Sequence, residues 1–359
     1  MNINGKKYTR DDIIKRVGNI HQLGGTVHYE FSYGRAKGVR AIEFNAGSGF
    51  IFTVIPDRGL DIAFAGYRGT NLVYITPNGI VNPAFYEPEG NGWLRTFFGG
   101  LLTTCGLTYF GHPGRDNGEE LGLHGRYSTI PAEGVCDLSR WEGDEYILEV
   151  RGTVEECVLF GDKIRLTRSI STRIGGKNFL IKDRVENYGY KTSPFTILYH
   201  VNAGFPLLDK SSELILTSTR VEPYTEVARS GLKELLRFSE PVHGFEGQDF
   251  LHSMACDKDG YALAGLINRE LENGLGLYLK FNTSTLPFLN EWKMLGEVDY
   301  VLGIEPVNTK ILNRAELRKE GRLPFIEPGE VKEMEVEIGV LDGNSEIDDF
   351  TSKVNRIKG

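Results

Sequence analysis

The chain reads as a mainly β protein, a large antiparallel sandwich or barrel with a short N-terminal helix. Short runs of alternating apolar and polar residues recur along most of its length, with turn residues between them. Glycine is abundant, 44 residues against 14 prolines, and it is accompanied by 20 Phe and 16 Tyr. That composition suits many short strands joined by tight turns. Helix signals are few, and one is good.

That signal opens the chain. Thr9-Arg10-Asp11-Asp12 has the form of a capping box, and Ile13, Ile14, Val17 and Ile20 follow at helical spacing until Gly24-Gly25. The expectation is a helix over residues 9–20. The pattern then changes period. Strands are expected at 39–45, 49–55, 146–154, 163–172, 179–187, 260–267, 276–282 and 331–340, with residues 173–178 as a hairpin turn. In the last strand, Val331, Met334 or Val336, and Ile338 are expected to be buried, with the acidic residues outside. Residues 76–126 and 202–213 are rich in loop signals, and loops on a rigid sheet are where binding residues gather.

No Pro/Ser-rich linker or internal repeat divides the chain. The expected organisation is an N-terminal helical extension over 1–25, a single β-sandwich domain over 26–345 and a C-terminal tail over 346–359. A formal charge of −8 and the lack of a basic run with interleaved aromatics argue against nucleic acid as a partner. No apolar stretch approaches the roughly 18 residues of a membrane span, and the first residues lack the apolar core of a signal peptide. A cytoplasmic protein without a membrane partner is expected. Cys105, Cys136, Cys157 and Cys256 are scattered, with no CxxC, so neither a zinc site nor a disulfide framework is expected.

Three segments carry candidate chemistry. His124 lies in Leu123-His124-Gly125-Arg126, where glycine allows close backbone approach. His200 follows the apolar run Phe195–Tyr199 and is expected at a strand end, desolvated yet within reach of a cleft. An imidazole there suits general acid or base work. Glu305 ends the run Tyr300–Ile304. A carboxylate in such surroundings is uncommon without a partner, and desolvation raises its pKa towards a useful base range. Pro306 is expected to stop that strand. Each of the three also has a plain structural reading, as a turn, core or edge-strand residue. Two histidines and a carboxylate are equally a ligand set for a metal, but no pair has the helical spacing of HExxH. There is no GxSxG elbow and no phosphate loop. Arg58, between Asp57 and Asp61 beside Gly59, is a candidate to grip a hydroxyl or carboxylate. Trp292, flanked by polar residues, is the better candidate for a platform under a sugar face.

These segments are ordered as in a known superfamily. Phe98-Gly99-Gly100, Tyr109-Phe110-Gly111, Leu123-His124-Gly125-Arg126, Leu198-Tyr199-His200-Val201-Asn202, Gly247-Gln248-Asp249 and Ile304-Glu305-Pro306 together resemble the aldose 1-epimerase (galactose mutarotase-like) superfamily, in a divergent branch. The resemblance implies a β-supersandwich that binds a hexose in a cleft. It implies that Glu305 takes the proton of the anomeric hydroxyl and His200 protonates the ring oxygen. It implies that His124 holds a hydroxyl or shares the acid role, and that Asp249 binds hydroxyls on the far side. Relatives commonly carry an arginine just before the paired glycines, where this chain has Phe98, so either Arg126, Arg95 or Arg58 stands in or the substrate differs. The expected function is interconversion of sugar anomers, with a sugar as the small-molecule partner, no cofactor, no metal and a possible homodimer. The alternatives are a carbohydrate-binding or sensing protein without turnover and a different, possibly metal-assisted, sugar epimerisation or lyase reaction.

Overall fold

A computed structural model describes residues 1–3 and 5–359. Three large antiparallel sheets dominate it, of nine, six and five strands. The nine-stranded sheet includes the long strands Glu145–Cys157, Lys163–Arg173, Asn178–Asn187 and Val331–Asp342. Their alternation decides which face is buried. Met334, Val336, Ile338 and Val340 point into the core, while Glu333, Glu335 and Glu337 take the other face. Val331 is out of phase with this set by one residue and is 36% exposed, contrary to its expected burial.

The six-stranded sheet positions the site. Its strands are β1 (Thr103–Leu107), β2 (Thr196–Ala203), β3 (Ser218–Pro223), β4 (Gln248–Met254), β5 (Phe288–Leu295) and β6 (Tyr300–Val307). Their order across the sheet is β3-β4-β5-β6-β2-β1. Its inner face supplies Tyr199, Val201, Leu289, Leu302 and Ile304 to the main core. Phe44, Phe50 and Phe52 come from the five-stranded sheet, and Leu166, Phe179 and Ile181 from the nine-stranded one. A buried ionic hub joins all three sheets. Arg168 pairs with Asp183 at 2.7 Å and with Asp61 at 3.2 Å, and Tyr199 donates to Asp183. Burial pushes the Asp61 carboxyl up to about 7. Removing one member of such a hub would leave an uncompensated buried charge.

The outer face of the six-stranded sheet carries a second, smaller apolar cluster. It includes Trp93, Phe97, Cys105, Phe110, Leu198, Leu251 and Val307. Segments between residues 76 and 126 lie over it, so the loop-rich stretch of the sequence becomes the cover of this face.

Four local expectations are corrected. The N-terminal helix spans only Arg10–Ile14, with the Thr9–Asp12 capping box formed as read. The chain turns at Gly18 and starts a 3-10 turn capped by Asn19, so Ile20 belongs to a different element. β2 continues to Ala203, three residues beyond His200. β6 runs through Pro306 to Val307 in the middle of the sheet. Residues 346–359, read as a tail, lie mostly in the helix Asn344–Lys358. Its Ile347, Phe350 and Val354 pack on Leu263, Ile267 and Leu341.

Candidate functional site

The passage of β6 through Pro306 has a local consequence. Proline has no N–H to give to a ladder. Pairing of β2 with β6 jumps from Leu198↔Val307 to Val201↔Ile304. The omitted positions are Tyr199–Pro306 and His200–Glu305. The gap in the ladder therefore falls at the two groups that the sequence marks for acid/base chemistry.

Alternation places His200, Glu305, Asn290, Trp292 and Asp249 together on the outer face. Asn290 is directly opposite Glu305, Trp292 opposite Gly303, and Asp249 opposite Trp292. Nδ1 of His200 is 3.1 Å from Oε1 of Glu305. The contact is close but not aligned as a hydrogen bond, and both atoms are buried without another protein partner. Oε2 of Glu305 accepts from Nδ2 of Asn290 at 2.7 Å, and the same Nδ2 lies 3.3 Å from Oδ1 of Asp249. The carboxyl of Glu305 folds back over Gly303, where a Cβ would come within 2.3 Å of Oε1. Glycine at 303 thus makes the room that the carboxyl occupies.

Aromatic rings surround His200. Phe97, Trp292 and His124 lie at 5.4, 5.5 and 5.8 Å between ring centroids. His124 rests edge-on against Trp93 at 4.6 Å and holds a positive φ of 57°, flanked by Gly125 at 74°. This turn brings the imidazole over the sheet, and its Nδ1 is buried without a partner.

The electrostatics follow from burial. Desolvation pushes Glu305 well above the usual carboxylate range, against the Asn290 hydrogen bond. It pushes His200 down to about 3. Both partners thus favour their neutral forms, a protonated Glu305 beside a neutral His200. His124 is held well below its ordinary value by burial, with His200 and His112 adding in the same direction. Burial raises Asp249 to about 6, opposed by the Asn290 amide and the nearby His112.

The structure brings together five of the seven residues that the sequence singles out: Glu305, His200, His124, Asp249 and Trp292. It does not bring Arg58 or Arg126 to them. Arg58 is fully buried, and its guanidinium donates to the carbonyl oxygens of Ser128, Val81 and Thr96. Its expected acidic neighbours are engaged elsewhere, Asp57 with Arg40 and Asp61 with Arg168. Arg58 therefore braces loops. Arg126 is exposed in a separate cleft with Tyr86, Glu119, Glu155 and Glu156. Arg95, the third possible stand-in, pairs with Glu87 on the surface. The guanidinium expected before the paired glycines has no substitute among these three.

The sequence does not single out Asn290 for the site. Its signal is cross-strand register, which adjacent residues in sequence do not reveal. Among the described residues, no group of three His, Cys, Asp or Glu is arranged to hold a metal ion. No described helix is long and apolar enough to cross a membrane.

Comparison with known proteins gives a consistent architecture. A family model described as a domain of unknown function, DUF4432, matches residues 36–340. No curated protein matches significantly. Among solved structures, a Klebsiella pneumoniae protein provisionally named an aldose 1-epimerase superposes with a TM-score of 0.88 at 23% identity, covering 94% of this chain and 92% of that one. A galactose mutarotase-like protein of Clostridium acetobutylicum gives 0.62 at 13% identity, covering 89% and 99%. Galactose 1-epimerase of Lactobacillus acidophilus gives 0.58 at 13% identity, covering 89% and 100%. At these identities the likeness establishes the galactose mutarotase-like β-sandwich fold alone.

Proposed function

We propose that this chain, which belongs to the DUF4432 family, is an aldose 1-epimerase-like isomerase that interconverts the anomers of a sugar by acid/base ring opening. The observation that carries the reading is a convergence of buried polar atoms that make no aligned hydrogen bond within the protein: Nδ1 of His124, Nδ1 of His200, Oδ1 of Asn290 and Oε1 of Glu305. Buried polar atoms are costly when unpaired. A polyhydroxylated ring offers donors and acceptors close together and would satisfy several at once.

The chemistry follows from the proton on Glu305. Passage of that proton from Glu305 to His200, across their 3.1 Å contact, gives a carboxylate beside an imidazolium. Glu305 then takes the proton of the anomeric hydroxyl. The bond between the anomeric carbon and the ring oxygen breaks, and His200 delivers its proton to that oxygen. Rotation about the bond next to the carbonyl exposes its other face. Closure by the reverse transfers yields the other anomer and restores the pair. Asp249 and His124 hold hydroxyls away from the reacting bond, and Trp292 lies under a C–H face. General acid and base groups so placed typically contribute about 100- to 10,000-fold each.

The test is anomer exchange by NMR across aldoses, ketoses, uronates and sugar phosphates with the wild-type protein. The expected result is saturable acceleration for at least one sugar. Saturable binding without acceleration of any sugar would favour a binding protein over an enzyme.

A further inference from the structure

Four adjacent strands, β2, β6, β5 and β4 in that order, each give one polar side chain to the outer face. In the same order these are His200, Glu305, Asn290 and Asp249. The register places Asn290 opposite Glu305, and Asp249 on the same face two residue pairs further along, opposite Trp292. The row therefore crosses β2, β6 and β5 directly, with about 4.8 Å between neighbouring strands, and steps diagonally to Asp249 on β4.

Asn290 is constrained from both sides. It is 1% exposed, and the two oxygens that approach its Nδ2 belong to carboxyl groups, Glu305 at 2.7 Å and Asp249 at 3.3 Å. An amide has its donors on nitrogen and its acceptor on the other branch. Turning the nitrogen to both carboxyls fixes where the oxygen points. That oxygen, Oδ1, is buried and has no hydrogen-bond partner. The sheet thus presents one preset acceptor beside the proposed catalytic carboxyl, on the side away from His200.

The order of groups along a sugar ring matches this row. If the ring oxygen meets His200 and the anomeric hydroxyl meets Glu305, the next group round the ring falls at Asn290, and a hydroxyl beyond it at Asp249. We infer that Oδ1 of Asn290 accepts a hydrogen bond from the hydroxyl next to the anomeric carbon, so that the protein selects aldoses with a free, hydrogen-donating 2-hydroxyl. The inference rests on the epimerase reading of the site and adds a specificity-determining residue to it. A site that pairs a buried group with a substrate hydroxyl discriminates against analogues that lack the hydroxyl.

The experiment uses the aldose that the wild-type protein exchanges fastest, with its 2-deoxy and 2-fluoro analogues. Each catalysed rate is divided by that sugar's own uncatalysed rate. Both analogues are expected to lose roughly ten- to a hundredfold in normalised kcat/KM, the usual range for one buried group left unpaired. The fluoro analogue accepts but cannot donate, so it is expected to behave like the deoxy sugar. In Asn290→Ala the parent sugar falls and the preference for it over the 2-deoxy analogue disappears. Equal exchange of parent and 2-deoxy sugar, retention of parental efficiency by the 2-fluoro sugar, or an undiminished preference in Asn290→Ala would each overturn the inference. The wild-type comparison decides alone if the variant does not fold. No acceleration of any parent sugar overturns the epimerase reading, and this inference with it. Acceleration without discrimination at C2 overturns this inference only.

Discussion

His200 and Glu305 meet on the outer face of the six-stranded sheet, and His252 and Glu291 meet on its inner face. The side chains approach to 3.1 Å in both pairs. The inner imidazole is engaged at both nitrogens, Nδ1 with the Ser218 hydroxyl at 3.0 Å and Nε2 with Glu291. It is closed in by the core, with no exposure of either side chain. Each carboxyl keeps one buried oxygen without a hydrogen bond, Oε1 of Glu291 and Oε1 of Glu305, but only the outer imidazole also leaves its Nδ1 without an aligned partner. The same two residue types thus serve two ends. An imidazole engaged at both nitrogens is a structural fastener. Under the proposed function, the imidazole left open beneath the loop cover is the one that meets a ligand.

That contrast can be broken in several ways. The largest expected effect is on turnover. His200→Asn should lower kcat about 100- to 10,000-fold with little change in melting temperature. His252→Asn should do the reverse, lowering Tm while each folded molecule keeps its kcat. Steady-state kinetics beside thermal melts of both variants would show it, and equal loss of activity in the two would erase the distinction. Next, Glu291→Ala should cost about 3–5 kcal/mol, the usual penalty for breaking a buried pair. Urea unfolding measures this, and a cost below about 1 kcal/mol would mean that the inner pair does not fasten the sheet.

A smaller effect is expected from Gly303→Ala. The new methyl group would come within 2.3 Å of Oε1 of Glu305 and 3.0 Å of the Trp292 Cβ. The carboxyl must move, and a displacement near 1 Å at a reacting group costs roughly 100-fold. Unaltered kcat/KM would show that Glu305 does not need its observed position. The smallest effect concerns stability and pH. Asp249 has its carboxyl raised from 3.8 to about 6 by burial. The folded state therefore binds this proton more tightly than the unfolded state. The associated stability is present below 3.8 and is lost as pH rises through about 6. Asp249→Asn should then raise Tm relative to wild type at pH 8 and leave the difference small at pH 3.5. An equal Tm difference at both pH values would count against burial as the cause.

Much of this was legible in the sequence. The alternating runs marked most of the long strands to within a residue or two, because period-2 burial on a sandwich writes itself directly into the chain. Glu305 and His200 stood out because each interrupts an apolar run, and the structure buries both. Arg58 does not follow its sequence context, because its neighbours Asp57 and Asp61 are not its hydrogen-bond partners in space. Its guanidinium meets carbonyls from three distant loops instead. Asn290 was passed over because its meaning comes from facing Glu305 across two strands, and register is not visible in either strand alone. The helix Asn344–Lys358 did leave a signal, with Ile347, Phe350, Val354 and Ile357 at helical spacing.

The central claim is that Glu305 performs chemistry, where Glu291 only fastens. It is tested most directly by measuring anomer exchange and sugar affinity together in wild type and Glu305→Gln, by NMR exchange and titration on the same samples. The expected result is a loss of about 100- to 10,000-fold in exchange with affinity changed only a few-fold. Exchange that survives the substitution, or affinity that falls as far as exchange does, would contradict it.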